Sequence, residues 1–322
     1  MKEPLISVVI PTYNRSEMLK DALNSVLNQT FQDFEIIVCD DGSEDNTKEI
    51  VEAFKDNRIK YLWQENSGLS PAVRNMGIQT SKGKYVALLD SDDIWLPNKL
   101  EKQLNAFNKN PDILVVATNF IYFSDEKGII ISILYKTNTI LNFKETLRMC
   151  TINNSSVLIK KEVFNSIGLK DVRCRLMSDY DYWLRLLHYK DKSILVIKEI
   201  LTKSRVHQSN TFLKSRDFLE KFKTWRYIYG KHKNYNPEYI ISNLRWRVHQ
   251  YKCLKLENLI SNGRSKLTEI LNSKELKFNE KFIFTLKHLN KQYIRKSNFF
   301  MNLLLRLFHY YIFKIIKRDK FL

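Results

Sequence analysis

Short apolar runs alternate with amphipathic segments through residues 1–118 of this chain. The strand-like runs lie at residues 6–10, 34–39, 59–62, 85–89 and 113–118. Between the first two, apolar residues recur at helical spacing at Leu19, Ala22, Leu23, Val26 and Leu27. Further helices are predicted to begin near Asp45, Ser70 and Pro97. The alternation predicts βαβ units, and therefore an α/β domain with a mainly parallel, Rossmann-like sheet and helices on both faces.

The pattern changes after Thr118. We predict a hairpin over residues 120–134, a helix over 143–150, a strand over 157–159 and a helix over 180–188. From about Thr211 onward only helical periodicities remain. The predicted organisation is therefore one α/β domain over residues 1–210, with halves of about 1–118 and 119–210, followed by a mostly helical region over 211–322.

Positive charge is concentrated in the last third of the chain. The whole chain carries a net charge of +18, and residues 206–322 alone hold 25 Lys and Arg against 8 Asp and Glu. A basic, aromatic segment of this kind is typical of proteins that meet an anionic surface, either membrane headgroups or nucleic acid.

Near the C-terminus, one predicted helical face is apolar and the other is basic. The apolar face carries Leu303, Leu304, Leu307, Phe308, Tyr311, Ile312 and Ile315, and the cations Arg306, Lys314, Lys317 and Arg318 lie opposite or at its flank. This pattern predicts an interfacial anchor on anionic lipid; the alternative is a helix that packs on its own domain with a solvated basic face.

The remaining bulk features favour a cytoplasmic protein. Its four cysteines show no CxxC spacing, which argues against a zinc site or a disulfide framework. The first strand begins at residue 6, which leaves no room for a signal peptide. The most apolar stretch, residues 303–316, is interrupted by Arg306, His309 and Lys314, so we expect no transmembrane span.

The segment Asp90-Ser91-Asp92-Asp93 directly follows the fourth strand-like run. Open α/β sheets bind ligands at the carboxyl ends of their strands, and carboxylates crowded there repel one another unless a cation lies among them. We therefore predict a site for Mn²⁺ or Mg²⁺ that uses Asp90 and Asp92. The alternative is an acidic turn that caps the next helix, a role we expect of Asp93.

The loops after the first and second strands should emerge at the same edge. They contain Pro11-Thr12-Tyr13-Asn14-Arg15 and Asp40-Asp41-Gly42-Ser43. The ring of Tyr13 is suited to stack on a nucleobase, and the carboxylate of Asp41 is suited to accept one of its N–H groups. Gly42 and Asn46 are more simply explained as a turn residue and a helix cap.

At this point the chain resembles the inverting glycosyltransferases of family 2, which have the GT-A fold. The resemblance rests on residues 8–15, 29–31, 40–43, 66–68, 72–77 and 88–93, in the family's order. It implies a nucleotide-diphosphate sugar donor, a divalent metal and a single displacement at the anomeric carbon. The resemblance assigns nucleotide binding to Pro11, Thr12, Tyr13, Arg15, Asp41, Arg74, Asp90 and Ser91, and metal binding to Asp92.

The same resemblance places the catalytic base in the segment that begins Met177-Ser178-Asp179-Tyr180-Asp181. Family members usually carry Glu-Asp here, which assigns the base to Asp179, although Ser178 stands where Glu is common. Asp181 is the alternative, but a carboxylate in the first turn also stabilises a helix N-terminus. His207 lies in a segment that in some relatives returns to the active site, so it is either a second metal ligand or a structural histidine.

Together these features predict an enzyme that moves a sugar, with UDP the expected carrier, to a hydroxyl of a glycan or polyprenyl-linked acceptor in cell-envelope polysaccharide synthesis. Arg245-Trp246 lacks the Gln of processive family members, so we expect one or a few sugars per encounter. The enzyme would sit peripherally on the inner face of the cell membrane and bind no nucleic acid. The alternatives are a nucleic-acid-binding protein and a sugar-nucleotide pyrophosphorylase, although the latter should carry a glycine-rich loop after the first strand.

Overall fold

The computed structural model describes residues 3–126, 128–129, 135–207 and 218–232. All of them belong to one compact unit, Met1–Leu244. Its strands are β1 (Ile6–Thr12), β2 (Phe34–Asp40), β3 (Ile59–Trp63), β4 (Tyr85–Leu88), β5 (Ile94–Trp95), β6 (Val115–Ser124), β7 (Gly128–Ile129), β8 (Thr139–Leu141), β9 (Leu158–Lys160) and β10 (Ile194–Arg205). Its helices are α1 (Ser16–Leu27), α2 (Thr47–Ala53), α3 (Ser70–Thr80), α4 (Lys99–Lys109), α5 (Phe143–Arg148), α6 (Glu162–Ile167), α7 (Ser178–Tyr189) and α8 (Phe218–Lys231), with a 3₁₀ turn at Asn154–Ser156.

The described strands form one sheet, in which eight strands follow the order β3-β2-β1-β4-β9-β6-β10-β5, while β7 pairs with β6 and β8 pairs with β10. β1, β2, β3 and β4 are parallel, β9 is antiparallel to its neighbours, and β6 and β10 are again parallel. The order turns back at β1, because β2 lies on one side of it and β4 on the other. Loops on either side of such a switch point diverge and leave a crevice at the carboxyl edge of the sheet, where ligands bind.

Helices cover both faces of the sheet, as the alternating pattern predicted. On one face, Val8 and Ile36 pack with the apolar stripe of α1 and with α4. On the other, Val9 and Ile37 pack with residues of α3, α5, α6, α7 and α8. Gly77 brings α3 close to the sheet, since an added Cβ would lie 2.5 Å from Val9 Cγ1. The predicted α/β fold with a mainly parallel sheet is therefore confirmed.

Several local features differ from the sequence predictions. The 12-residue strand β10 was not predicted at all. Asp93 does not cap a helix: strand β5 follows it directly, and α4 begins only at Lys99. Asn46 precedes α2, but the side chain that bonds the first turn is Asp45, whose Oδ1 accepts from the Thr47 backbone N–H at 3.1 Å.

In the second half of the domain, β6 joins the predicted strand over 113–118 to the start of the predicted hairpin, and β8 and α6 were not predicted. β6 and β7 form the start of the predicted hairpin, with Ser124 opposite Gly128. α5, β9 and α7 lie within one or two residues of their predicted bounds. The predicted boundary near residue 210 and the basic helix over 303–316 lie outside the described residues and stay predictions. No helix in the described ranges combines the length and the hydropathy needed to cross a membrane.

Candidate active site

The acidic turn after β4 lies beside the switch point of the sheet. One carboxylate oxygen from each of Asp90, Asp92 and Asp93 lies within 4.8 Å of the others. Asp93 is buried and anchors the turn, because it accepts hydrogen bonds from Ser155 Oγ at 2.5 Å and from the Arg205 backbone N–H at 3.0 Å. Burial, and then the charges of Asp92 and Asp90, raise the pKa of Asp93 well above its usual range.

Asp92 is the meeting point of three distant parts of the chain. Its Oδ2 lies 2.8 Å from Arg15 Nη1, in the loop after β1, and 2.9 Å from His207 Nε2, just beyond β10. The side chain of Asp92 is only 8% exposed. The structure thus brings together both residues assigned to the metal and one of those assigned to the nucleotide.

The donor set of this turn is suited to a hard divalent cation. The carboxylates of Asp90 and Asp92 supply oxygen ligands, and the imidazole of His207 is a common additional ligand for Mn²⁺. Asp93 is already engaged by Ser155 and Arg205. Asp92 and His207 would therefore hold the ion, with Asp90 beside them.

A second group of possible ligands is engaged by an ammonium instead. Asp171, Cys174 and Asp181 also offer atoms within 4.8 Å of one another. Lys231 Nζ, at the end of α8, lies 2.6 Å from Asp171 Oδ2 and 2.6 Å from Asp181 Oδ1. This cluster is an ion-pair network that ties α8 to α7.

Arg74 of α3 forms an ion pair with the acidic turn. Its Nη2 donates to Asp90 Oδ1 at 2.5 Å, and its Nη1 contacts Ser70 Oγ. Burial opposes the charge of this guanidinium, but the carboxylates of Asp90, Asp179 and Asp92 together raise the pKa of Arg74. The Arg74 guanidinium therefore interacts electrostatically with both the acidic turn and the predicted base, Asp179.

Asp179 lies in the first turn of α7 and is half-buried. Its Oδ1 accepts a hydrogen bond from the Tyr180 backbone N–H at 2.9 Å. This bond orients the carboxylate at the N-terminus of α7. The structure thus brings Asp179 into the electrostatic reach of Arg74.

Asp181, the alternative base, has a different environment. Its side chain is fully buried, Arg185 Nε donates to its Oδ2 at 2.9 Å, and Lys231 contacts its Oδ1. Trp183 and Leu186 on the same helix are also fully buried, as expected of core residues. Asp181 is thus committed to two cations and turned away from solvent.

Asp41 lies at the end of β2, next to the β1 loop. Its backbone N–H donates to Thr12 O at 3.0 Å. Its Oδ1 accepts from Gln64 Nε2 at 2.6 Å and from both the backbone N–H and the hydroxyl of Ser67, at 3.0 and 2.9 Å. Within the described part of the chain, these three side-chain contacts all reach Oδ1, which leaves Oδ2 for a ligand.

Tyr13 projects from a loop that is held against the loop after β2. The neighbouring Asn14, which has a positive φ of 49°, donates its backbone N–H to Ser43 Oγ at 2.8 Å, and its Oδ1 accepts from the Glu44 backbone N–H at 2.8 Å. Gly42 makes the tight turn possible, with a φ of 80° and no room for a Cβ beside the Asn66 backbone. Tyr13 itself is 43% exposed and so presents its ring to solvent.

Three other residues that were assigned to nucleotide binding lie along the same edge of the sheet and are less exposed than Tyr13. Pro11 and Thr12 end β1, and Ser91 lies within the acidic turn. The Thr12 and Ser91 side chains are buried, at 4% and 2% exposure. Their predicted contact with a nucleotide would therefore come mainly through the backbone.

The sequence interpretation missed the residues that hold the site together. Ser155 bridges the acidic turn, because its hydroxyl donates to Asp93 and accepts from the Asp90 backbone N–H at 3.0 Å. Arg205 is buried, and its Nε donates to Asp92 O at 3.1 Å. The polar run at residues 153–156, just before a strand, was a signal for Ser155, whereas nothing in the local sequence of Arg205 pointed to this role.

Comparison with known proteins identifies the family of this chain. Residues 7–168 match the family model described as glycosyl transferase family 2. The chain is 35% identical over 229 residues to the uncharacterized glycosyltransferase RP339 of Rickettsia prowazekii. This alignment covers 68% of this chain and 69% of RP339. It is 30% identical over 267 residues to the Escherichia coli protein WfgD, a UDP-Glc:alpha-D-GlcNAc-diphosphoundecaprenol beta-1,3-glucosyltransferase, with 78% of this chain and 98% of WfgD covered.

Solved structures share the fold. A crystal structure of Staphylococcus aureus TarS 1-349 in complex with UDP superimposes with a TM-score of 0.61 at 20% sequence identity, covering 82% of this chain and 76% of that one. A second TarS structure, in complex with UDP-GlcNAc, has a TM-score of 0.60 at 21% identity and covers 71% and 66% of the two chains. This likeness supports the GT-A fold assignment.

Proposed function

The chain belongs to glycosyl transferase family 2 and is a glycosyltransferase of that type, and on this premise we propose that it transfers a sugar from a UDP-sugar to a hydroxyl of a lipid-linked glycan, with inversion at the anomeric carbon. The observation that carries the proposal is the position of Arg74. It pairs with Asp90 of the acidic turn and feels the charge of Asp179. A donor diphosphate at the turn and an acceptor hydroxyl at α7 would therefore both lie in the electrostatic field of Arg74.

Donor binding is assigned to the β1 and β2 loops. The exposed ring of Tyr13 would stack on the uracil, and the remaining oxygen of Asp41 would accept an N–H of the base. Arg15 and Arg74 would lie near the diphosphate, where guanidinium groups pair with phosphate oxygens. The UDP and UDP-GlcNAc complexes of TarS support a uridine nucleotide.

The metal is assigned to Asp92 and His207, with Asp90 toward the ribose or a metal-bound water. When bound, Mn²⁺ or Mg²⁺ supplies Lewis-acid stabilisation of the charge that develops on the leaving diphosphate. Ser155 and Arg205 hold the turn that carries Asp92, so this ligand is positioned before the donor arrives.

Asp179 is assigned as the general base. It would take the proton of the acceptor hydroxyl as the oxygen attacks the anomeric carbon, while the bond from that carbon to the diphosphate oxygen breaks on the opposite side. Nucleoside diphosphate leaves with the bonding electrons. The partly exposed position of Asp179 supports this assignment over Asp181, which two cations already neutralise.

The acceptor is proposed to be a sugar on a polyprenyl diphosphate. WfgD, which the chain covers almost completely, is named for such an acceptor. An enzyme with that substrate works at a membrane surface, which agrees with the basic C-terminal segment. We therefore propose peripheral attachment to the inner face of the cell membrane in cell-envelope polysaccharide synthesis.

The test is a panel of nucleotide sugars with Mn²⁺ and lipid-linked acceptors, with released nucleoside diphosphate as the readout. We expect one UDP-sugar to give acceptor-dependent release from the native chain. Asp92→Ala should lose metal-dependent donor binding, and Asp179→Asn should keep donor binding while losing transfer. Equal rates from the native chain and both variants would overturn the assignment.

A further inference from the structure

The loop between β3 and α3 directs three hydrogen-bond donors at a single oxygen of Asp41. Gln64 Nε2 donates to Oδ1 at 2.6 Å, and the backbone N–H and the hydroxyl of Ser67 donate to the same oxygen at 3.0 and 2.9 Å. Among the described residues, no donor reaches Oδ2. Asp41 is buried, so the two oxygens of this carboxylate have fixed and different environments.

Hydrogen bonds hold this loop at both of its ends. The Gln64 backbone N–H donates to Asp40 O at 3.0 Å, which attaches the start of the loop to the end of β2. The Ser67 hydroxyl, besides donating to Asp41, accepts from the Leu69 backbone N–H at 3.2 Å, just before α3 begins. The side chains of Gln64 and Ser67 are therefore held at defined positions relative to the Asp41 carboxylate.

A carboxylate held through one oxygen can discriminate between pyrimidine bases with the other. Uracil carries an N–H at position 3, between two carbonyl groups, and this N–H is a suitable donor for Asp41 Oδ2. Cytosine has an unprotonated nitrogen at position 3, whose lone pair would face the lone pairs of Oδ2. A carboxylate that is free to rotate could turn to the neighbouring amino group of cytosine. One that is held by three donors cannot turn without breaking those bonds.

We propose that Gln64 and Ser67 are positioning residues that give the donor site its preference for uracil over cytosine. By binding Oδ1, they hold Oδ2 of Asp41 toward the base and prevent it from adapting to cytosine. The inference rests on the proposed role of Asp41 in base binding, and it adds the residues that make this carboxylate selective. Their effect is exerted through Asp41 and requires no contact of their own with the nucleotide.

The experiment measures the dissociation constants of UDP and CDP for the full chain by isothermal titration at fixed Mn²⁺. The double variant Gln64→Met, Ser67→Ala removes both side-chain donors and keeps the Ser67 backbone N–H, whereas Ser67→Thr keeps the hydroxyl. The control is the double variant Gln32→Met, Ser166→Ala. Its two side chains donate to backbone carbonyl groups, at 3.3 and 3.1 Å, in the loop before β2 and in α6. Thermal unfolding shows whether each variant is folded.

We expect the native chain to bind UDP about 10- to 100-fold more tightly than CDP, because CDP leaves a buried carboxylate oxygen without a donor. The double variant at Gln64 and Ser67 should reduce this ratio to about threefold or less, because the released carboxylate can turn to the cytosine amino group. Ser67→Thr and the control should keep the native ratio. Damage to the loop alone would weaken UDP and CDP equally, since the two nucleotides share the ribose and the diphosphate.

Asp41→Asn tests the orientation of this side chain directly. The donors from Gln64 and Ser67 require an oxygen at the Oδ1 position, so the amide nitrogen of the new side chain should face the base. That nitrogen is a donor, and the variant should therefore prefer CDP over UDP by about tenfold. Asp41→Asn added to the double variant should lose this reversed preference, because either end of the amide can then face the base.

A folded double variant with the native ratio of UDP to CDP affinity would overturn the inference, and so would an equal loss of selectivity in the control. If the double variant does not fold, a preference for UDP that persists in Asp41→Asn decides against it. Asp41→Ala separates the two proposals. Native affinities for both nucleotides in that variant refute base binding by Asp41, whereas a lost preference beside a native ratio in the double variant refutes the roles of Gln64 and Ser67 alone.

Discussion

His207 Nε2 lies 2.9 Å from Asp92 Oδ2, although 115 residues separate the two in the chain. β10 makes this contact possible, because it runs to the carboxyl edge of the sheet and ends at Arg205, two residues before the histidine. Arg205 itself holds the backbone of the acidic turn. The end of β10 thus completes the site that begins after β4.

If His207 is a metal ligand, His207→Ala should weaken Mn²⁺-dependent UDP binding by about 10- to 100-fold. Without metal, in EDTA, native and variant chains should bind UDP equally. Isothermal titration of UDP at fixed Mn²⁺ measures the difference. His188→Ala, at the far end of α7, is the control, and equal effects of the two substitutions would show that His207 is only structural.

Asp179→Asn should lower the transfer activity, whereas Asp181→Asn should lower the stability of the fold. Asp179→Asn removes the proposed base and should lower transfer by about 10²- to 10⁴-fold with little change in stability. Asp181→Asn leaves Arg185 and Lys231 with one fewer carboxylate in a buried network, and should lower the free energy of unfolding by about 3 kcal/mol. Urea unfolding and a transfer assay on both variants distinguish the roles; the reverse pattern would assign the base to Asp181.

Tyr13→Ala should weaken UDP binding by about tenfold, because stacking of a base on an aromatic ring contributes about 1–3 kcal/mol. Tyr189, the last residue of α7, is 60% exposed and is the matched control. Fluorescence or calorimetric titration with UDP measures the affinity. Equal UDP affinity in Tyr13→Ala and the native chain would show that the uracil does not stack on Tyr13.

Stability should fall in mild acid because of His232. Burial, and then His188, lower the pKa of His232 to about 4, while Asp181 opposes this and Lys231 and Arg185 add to it. The unfolded chain, with an ordinary histidine pKa of 6.5, takes up this proton first. The free energy of unfolding should therefore decline as pH falls from about 6.5 to about 4.

Urea unfolding at several pH values, in the native chain and in His232→Gln, tests this dependence. The variant should show a shallower decline across that window, because glutamine takes up no proton. Identical slopes would show that other groups control acid stability.

The predicted basic helix near the C-terminus is tested in the full chain. Lys314→Glu, Lys317→Glu and Arg318→Glu together should weaken binding to anionic liposomes by about 100-fold or more at about 0.15 M salt, since each cation near the surface contributes about 1 kcal/mol. The control reverses three exposed lysines of the α/β domain, Lys20, Lys48 and Lys109. Equal partitioning of the two triple variants would argue against an anchor at this helix.

The first four strands were predictable because each is a local apolar run bounded by turn residues. β10 was not, although residues 194–197 are apolar. Lys198 and Glu199 interrupt the run, and the pairing of β10 with β6 shifts register on both sides of Ile200. Such irregularities break the period-two alternation by which a strand is recognised.

The acidic turn was predictable only in part. The run of carboxylates at the end of a strand indicated a cation site and set Asp93 apart from Asp90 and Asp92, but it assigned Asp93 to a helix cap and not to the anchoring of the turn. Asp93 accepts hydrogen bonds from Ser155 and from the Arg205 backbone N–H, whereas Asp92 contacts Arg15 and His207. These partners come from three separate parts of the chain: the loop after β1, the turn before β9 and the end of β10.

The amino-acid sequence alone determined the alternation of strands and helices, the edge of the sheet at which polar loops meet, and the family, because these depend on periodicities and motifs within short segments. Only the tertiary structure decided which carboxylates are anchors, that Asp181 is neutralised by Arg185 and Lys231, and that His207 lies next to Asp92. The physical reason is that charge and burial depend on distances between residues far apart in the chain, and packing of the sheet and helices sets those distances.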